Sequence, residues 1–497
     1  MQRSSLFHLS ILFIFALAGI LLAGCNVAFG PGYLIKKQNI ELHFVSSPEP
    51  HLVVQCTYQL LNTGNQPLSS LQVRVPTAGA FRRGATSAEW NGKSISVQTV
   101  HAASSSDRGD TIELHWPEPW AVKQKRTLIL SFELSTGVHL GNYLAASPET
   151  FFAFPESWDP VLLPARHLLA TGGIPPKKWD LSVHVPSGFL VHASGIPGKR
   201  KSSHDEWIYS FTQRPGEFAP FATGGKYVER EVHANGDRIL FWTLQPIDSI
   251  AAQNAANSIA SRARYYESQY GSLTKGPRSI RLLECPVPSK SFGCGALPET
   301  IFIHQAWIAR GLKDKEFFED IDFELAYSWF GGVARVRFDE DPLPMDAVAP
   351  YVGWEAQALE DGGNSRSSRI QSLLSDFDKH TVECEERVVL PLPPGEYGCS
   401  YSIAWTKSAL FFFALEDRIG RGPFHQSLKS MIQASRGSDF RLQDLISAME
   451  SESHQPQGQF VRQWLKHPGI PDDFRARYPM TVAPTVSSDN LSKEPHP

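Results

Sequence analysis

One acidic side chain stands where a metal-dependent hydrolase would place its general base. Glu324 lies in the run from Phe323 to Tyr327, which has the spacing of the H-E-x-x-H pattern. In that pattern two histidines project from one face of a helix and hold zinc, while the glutamate acts as base on the metal-bound water. Phe323 and Tyr327 take the histidine positions here. A phenyl ring has no lone pair to donate, and a neutral phenol substitutes poorly for imidazole.

The residues that position Glu324 are predicted to be helical. Phe317, Ile321 and Leu325 fall at the spacing of one buried helix face. Two further helices are predicted over Trp405–Ile419 and Phe424–Ile432. The C-terminal part is therefore expected to be mainly helical.

The N-terminal part has the pattern of β-structure, from about Tyr33 to Gly224. Apolar residues alternate along one strand face, at Val54, Cys56, Tyr58 and Leu60. Pro-Gly, Asn-Gly and Ser-Gly pairs punctuate the strands, which favours a multi-stranded β-domain.

The pattern changes after Asn235-Gly236. Asp248 is a suitable N-cap for a helix that runs to about Tyr270. Short strands are predicted over Ile280–Leu283 and Ile301–Ile303. Loops at 361–364 and 390–395 bracket a segment that we expect to lie on the surface as an excursion.

Three motifs follow the order of a known family. Residues 322–331, D-F-E-L-A-Y-S-W-F-G, resemble A-H-E-L-A-H-Q-W-F-G, and 405–409, W-T-K-S-A, resemble a Y-E-K-G segment. Phe460, Trp464-Leu465 and the run 468–471, P-G-I-P, resemble a closing F-x-x-x-W-L…P-G-x-P. The chain thus resembles the membrane alanyl aminopeptidase family, which are gluzincin metallopeptidases, over roughly residues 215–475.

The resemblance implies a multidomain α+β fold, with a β-rich N-terminal domain before a thermolysin-like, mainly helical peptidase-type domain. The expected divisions are a signal peptide over 1–25, the β-rich domain over 26–225, the aminopeptidase-like domain over 226–480 and a disordered tail over 481–497.

The resemblance also assigns site residues. Glu324 takes the general-base position, and Trp405 takes the place of the tyrosine that stabilises the oxyanion. For the third zinc ligand, Glu355 in G-W-E-A looks like the family's L-N-E-G, whereas Asp346 is nearer the expected spacing. Both alternatives stay open.

The amine-binding G-A-M-E-N motif of the family should lie near residues 293–299, G-C-G-A-L-P-E. Glu299 is the acid there, and it is out of register when the following strand is aligned. We therefore expect a cleft lined by Phe323, Tyr327, Glu299 and Glu355, with no zinc bound because both histidines are replaced.

The N-terminus predicts export. Arg3 precedes an apolar run from Ile11 to Ala23, as in a secretory signal. The run 22–25, L-A-G-C, resembles the lipobox of bacterial lipoproteins, in which Cys25 would be lipidated. An uncleaved membrane anchor is the alternative, and both place the body of the protein outside the cytoplasm, in a bacterial envelope.

Five cysteines follow Cys25. In an exported protein, Cys285 with Cys294 and Cys384 with Cys399 are candidate local disulfides, which leaves Cys56 spare. Buried free thiols are the alternative. The spacings do not resemble a cysteine-rich zinc module.

The composition limits the classes of partner that the protein is expected to bind. The 497 residues carry a formal charge of -4 and no basic run, which argues against a nucleic-acid partner. Three hypotheses remain. The first is a non-catalytic pseudopeptidase that binds a peptide or an envelope protein. The second is a metallo-aminopeptidase with an atypical metal site, and the third is a structural scaffold of the envelope.

Overall fold

The computed structural model describes residues 32–76, 82–101, 109–135, 144–153, 158–164, 174, 176–203, 205–214, 220–273, 278–285, 296–297, 299–333, 335–336, 347–360, 365–383, 399–436 and 439–479. The predicted signal peptide with Cys25 and the predicted tail lie outside these ranges. The described residues form two compact units, which divide after Tyr227.

The first unit is built of strands. They are β1 (Tyr33–Val45), β2 (His51–Asn62), β3 (Leu68–Pro76), β4 (Arg82–Trp90), β5 (Lys93–Ser94), β6 (Ser96–His101), β7 (Gly109–Trp120), β8 (Lys125–Ser135), β9 (Leu144–Ser147), β10 (Thr150–Ala153), β11 (Val161–Leu162), β12 (Trp179–Pro186), β13 (Leu190–Ala193), β14 (Ile196–Pro197), β15 (Lys201–Ser203), β16 (Glu206–Thr212) and β17 (Ala222–Gly225). The largest sheet has the order β14-β16-β12-β1-β2-β8-β4-β5, and two smaller sheets have the orders β13-β17-β10-β9 and β11-β3-β7-β6.

Alternation of side chains sets the core of this unit, as the period of two predicted. On β2 the inward residues Val54, Cys56, Tyr58 and Leu60 are all buried. Strand β1 pairs antiparallel with β2 and parallel with β12. The opposite face of β1 and β12 carries polar residues that remain partly exposed, which is the usual arrangement for a sheet with one solvated face.

The second unit places a mixed sheet beside helices. Its strands are β18 (Val228–Ala234), β19 (Asp237–Thr243), β20 (Ser279–Cys285), β21 (Ala296–Leu297), β22 (Thr300–His304), β23 (Arg335–Val336) and β24 (Asp439–Phe440). The main sheet has the order β18-β19-β20-β22-β21, with β19, β20 and β22 parallel. The two short strands predicted from apolar runs correspond to β20 and β22.

The helices of the second unit are α1 (Ser249–Tyr270), α2 (Gln305–Ala309), α3 (Lys315–Tyr327), α4 (Val348–Glu360), α5 (Ser365–Glu383), α6 (Cys399–Ile419), α7 (Arg421–Ala434), α8 (Leu442–Ser453), α9 (Gly458–Leu465) and α10 (Asp472–Arg477). Helix α1 begins as predicted, because the Asp248 side chain accepts hydrogen bonds from the backbone N–H groups of Ile250 and Ala251, each at 2.9 Å. In the part of the chain described, no helix is both long enough and apolar enough to cross a membrane.

One prediction about this unit is wrong. The segment after residue 364 is not a surface excursion, because α5 packs into the helical core through Ile370, Leu373, Leu374 and Phe377. These residues recur at the spacing of a single helix face, and that face packs against α6. The same helix begins with Arg366, which enters the candidate site.

Candidate functional site

Helix α3 carries the motif of Glu324 and is held to α1 by two polar contacts. The Arg262 guanidinium on α1 pairs with Asp322 at 2.9 Å, and the Tyr266 hydroxyl donates to the Asp322 carbonyl oxygen, also at 2.9 Å. Leu325 and Ala326 are buried in the core. Glu324 itself is only 5% exposed. Glu324 therefore lies in the buried interior of the second unit.

The side chains at the two histidine positions contact each other. Phe323 and Tyr327 are half-buried, with ring centroids 5.2 Å apart and planes inclined by 70°. This edge-to-face geometry is a favoured arrangement for two aromatic rings. The pair supplies no imidazole nitrogen, so these positions do not fit a zinc ion.

Helix α4 crosses α3 at close range. A Cβ atom added to Gly353 would lie 3.2 Å from both the Cα and the backbone N of Phe323. One turn later, the Gln357 side chain donates to the Glu319 carbonyl oxygen at 3.2 Å. Glu355 stands between these two residues, about 200° around the helix from Gly353. Its side chain therefore leaves α4 on a different face from the one that contacts α3.

The Glu355 carboxylate lies in a buried ionic network instead. It is 4% exposed, and its oxygens lie 3.1 Å from the Arg366 guanidinium, 3.0 Å from the Arg421 guanidinium and 3.6 Å from His425 Nε2. The Tyr270 hydroxyl contacts His425 Nδ1 at 3.0 Å. Asp346 lies outside the described residues, so the choice between Glu355 and Asp346 as third-ligand position stays a prediction.

Arg366 is the centre of this network. Its guanidinium contacts Glu416 as well as Glu355, and it reaches Asp417 at 2.9 Å. It also lies over the Phe413 ring, 4.9 Å from the centroid. One residue of α5 thus joins α4 to α6, while Arg421 and His425 bring in α7.

The two buried glutamates respond oppositely to these surroundings. Burial alone would raise the pKa of Glu355, but the hydrogen bond with His425 and the charges of Arg421 and Arg366 hold that pKa below its usual range. Burial and the adjacent Glu355 charge raise the pKa of Glu416. This is the behaviour of neighbouring carboxylates that share a limited supply of positive charge.

An aromatic cluster adjoins the network at the Trp405 position. The Trp405 and Trp354 rings meet edge-on with centroids 5.9 Å apart, and Trp354 stacks on Phe413 at 6.1 Å. The Arg369 guanidinium covers Trp354 at 5.1 Å from its centroid. Trp405 is thus in packing contact with α4.

Beside this cluster is a cavity of about 260 Å³. Helices α3, α4, α5 and α6 each contribute to its wall, through Glu319, Trp354, Arg369 and Phe413 respectively. Glu355 and Arg366 also line it. A volume of this size accommodates a small ligand or one peptide side chain, with aromatic surface and charges of both signs in reach.

Glu299 lies on a turn rather than in a strand. It has a positive φ of 63° and connects β21 to β22, which pair antiparallel. Its carbonyl oxygen accepts a hydrogen bond from the backbone N–H of Arg281 at 2.9 Å. Within the described residues β21 is the edge strand of its sheet, and it lies next to α3.

The cysteine predictions are resolved in part. Cys285 is disulfide-bonded, and Cys56 is a buried free thiol, as expected for the spare cysteine. Cys294, Cys384 and the side chain of Cys399 lie outside the described residues. The pairings therefore stay predictions.

Sequence reasoning missed most of the ionic network. His425 has no ligand-like spacing to any other histidine, and Arg366 lies in the segment that was expected on the surface. Glu416 and Asp417 lie near the end of the predicted Trp405 helix. Two adjacent acids at that place were the one signal in the sequence for the ionic network.

Comparisons with known proteins agree with this architecture. The chain is 23% identical over 295 residues to tricorn protease-interacting factor F2 of Thermoplasma volcanium, which covers 56% of this chain and 36% of the relative. It is 21% identical over 189 residues to aminopeptidase M1-B of Oryza sativa subsp. japonica, covering 37% of this chain and 21% of that protein. The matches thus span well under half of either relative. No family model matches the chain.

Solved structures share the fold over most of the chain. An M1 zinc metallopeptidase from Deinococcus radiodurans superposes with a TM-score of 0.56 at 15% identity, covering 88% of this chain and 95% of its own. Native yeast LTA4 hydrolase gives a TM-score of 0.62 at 14% identity, covering 88% of this chain and 69% of its own. The predicted resemblance to an M1 aminopeptidase-like family and the predicted fold class are confirmed.

The ionic network predicts how the free energy of unfolding depends on Glu355 and on pH. Glu355→Gln should lower the free energy of unfolding at neutral pH by roughly 1–3 kcal/mol, because two guanidinium groups lose a buried charged partner. The lowered pKa of Glu355 means that its contribution is present above the ordinary glutamate pKa and is lost as the pH falls through the folded value. The deficit of the variant should therefore shrink in acid, as measured by urea unfolding.

The matched control is Glu231→Gln. The hydrogen bond with Arg238 also lowers the pKa of Glu231, but this carboxylate is exposed and solvated. Its replacement should change stability little at either pH. Equal losses for the two variants, or a Glu355→Gln deficit that does not vary with pH, would contradict the assignment of a buried charge balance.

Proposed function

Starting from a chain that resembles M1 aminopeptidases in sequence and shares their fold, we propose that it is a non-catalytic pseudopeptidase that binds peptide or protein. The observation that carries the proposal is the edge-to-face contact of Phe323 with Tyr327 at the two histidine positions. Aromatic rings there provide packing in place of metal ligands. Glu324 is then a base without a metal-bound water to activate.

Two surfaces beside α3 support peptide binding. Among the strands that the structure describes, β21 is at the edge of its sheet and offers backbone groups to which an extended peptide can add as a further strand. The cavity lined by Trp354 and Phe413 offers aromatic surface for a side chain, and Arg369 and Glu319 offer charges at its wall. Main-chain pairing with a side-chain pocket is a common mode of peptide recognition.

A protein partner is supported by one relative. The factor F2 of Thermoplasma volcanium is named for its interaction with tricorn protease. Since the match covers about a third of that relative, the likeness supports a binding role in general and no particular partner.

The proposal includes anchoring in a bacterial envelope through lipid on Cys25, within the lipobox-like run L-A-G-C. The protein should partition into membranes, and Cys25→Ser should release it into the soluble fraction when it is expressed in a bacterium. Retention of the Cys25→Ser variant in membranes would instead favour an uncleaved apolar anchor.

A second candidate is a metallo-aminopeptidase with an atypical site. Glu355, Glu416 and His425 each present a ligand atom within 4.8 Å of the others, which is the observation in its favour. However, Arg366 and Arg421 already neutralise these carboxylates. A cation would have to displace a guanidinium, so the pseudopeptidase is the better supported function.

A peptide-binding experiment tests the proposal. A labelled random peptide library should contain members that bind the purified protein and are recovered intact, with or without a chelator. Trp405→Ala should lower the affinity of the protein for the selected peptides roughly 2- to 10-fold, because the substitution removes one aromatic partner of Trp354. The readouts are fluorescence anisotropy for binding and mass spectrometry for peptide integrity.

The control is Trp207→Ala, which removes a partly buried indole that contacts Arg200 in the first unit. It should leave peptide binding unchanged. Release of N-terminal amino acids that a chelator abolishes would support the second candidate. The absence of any bound peptide would overturn a peptide-binding role.

A further inference from the structure

A second cluster of metal-ligating side chains lies in the first unit. It consists of His43 on β1, His184 on β12 and Glu206 on β16, which are neighbouring strands of the largest sheet. His43 and His184 are direct partners across the parallel pair β1–β12. The three side chains project from the polar face of the sheet, opposite the buried Leu42 and Val183.

The distances suit one shared ion. Glu206 places one carboxylate oxygen 3.1 Å from His184 Nδ1 and the other 3.9 Å from His43 Nδ1. Zinc bonds of about 2.0–2.2 Å at tetrahedral angles require ligand atoms about 3.4 Å apart, which lies between these two values. Glu41 adds a further carboxylate 3.9 Å from His43 Nε2.

The ligand types also suit such an ion, since imidazole nitrogen and carboxylate oxygen both bind zinc. The cluster is accessible, because the side chains of His43, His184 and Glu206 are 37%, 15% and 42% exposed.

One adjustment is needed on binding. The two imidazole rings are stacked with centroids 3.9 Å apart and planes only 25° apart, so their lone pairs run nearly side by side. A metal lies in the plane of each ring that binds it, and the rings must therefore tilt apart. Because His43 is partly exposed and terminal ring torsions are broad, this rotation is accessible.

We propose that His43, His184 and Glu206 form a binding site for a divalent transition-metal ion of the zinc type on the β-rich unit. Two imidazoles and one carboxylate select such an ion over calcium, which prefers a full set of oxygen ligands. The site is separate from the positions at Phe323 and Tyr327, and it does not depend on the proposed pseudopeptidase function.

Isothermal titration of the purified chain with zinc chloride tests the site. One equivalent should bind, and calcium chloride should give no competing signal. His43→Ala and His184→Ala should each lower the affinity for zinc at least about 10-fold. Loss of a residue that only hydrogen-bonds to a metal ligand already lowers metal affinity by about that factor. Zinc should raise the thermal unfolding midpoint of the parent and should not raise that of either variant.

Two further variants make the result decisive. His115→Ala is the matched control. His115 Nε2 lies 3.2 Å from a carboxylate oxygen of Glu113 in the same unit, so this pair offers one imidazole where the proposed site offers two. The control variant should bind zinc as the parent does. Glu206→Gln keeps the size of a partly exposed side chain and removes its charge, so it serves if His184→Ala does not fold. Parent-like zinc binding by His43→Ala and Glu206→Gln would overturn the site.

Discussion

The helical unit depends on a buried balance of charge around Arg366. Glu355 and Glu416 are buried carboxylates on two helices, and each would be costly to bury without a cation. The guanidinium of Arg366 reaches both, as well as Asp417. Arg366 on α5 thus adds an ionic contact to the direct aromatic packing of Trp354 on α4 against Trp405 and Phe413 on α6. Helix α5 contacts its neighbours through this charged residue as well as through its apolar face.

The same charge balance bears on the two places in this unit where a metal ion could be held. At the motif helix, Phe323 and Tyr327 offer ring packing and no ligand nitrogen. In the network, the carboxylates are present, but guanidinium groups supply the positive charge that a metal would otherwise bring. The second unit thus shares its fold with M1 metallopeptidases, while the protein's own guanidinium groups balance the charge of its buried glutamates.

Local patterns predicted the elements well. The Asp248 cap, the strand around Cys56 and the Trp405 helix all depend on residues close together in sequence, where spacing is informative. The ionic network was not predictable in this way, because Arg366 and His425 acquire their roles from helices that meet only in the fold. The pair of His43 and His184 was missed for the same reason, since strands β1 and β12 are distant in sequence. The motifs predicted the family likeness because they are contiguous runs.

The motif helix holds Phe323 and Tyr327 at the two positions where the H-E-x-x-H pattern has histidines. The most direct test is the zinc content of the parent and of a Phe323→His/Tyr327→His variant, measured by mass spectrometry of the metal after loading and dialysis. We expect one zinc equivalent more per chain in the variant than in the parent, because two imidazoles four residues apart restore the ligand pair. Equal zinc contents in two folded proteins would contradict it.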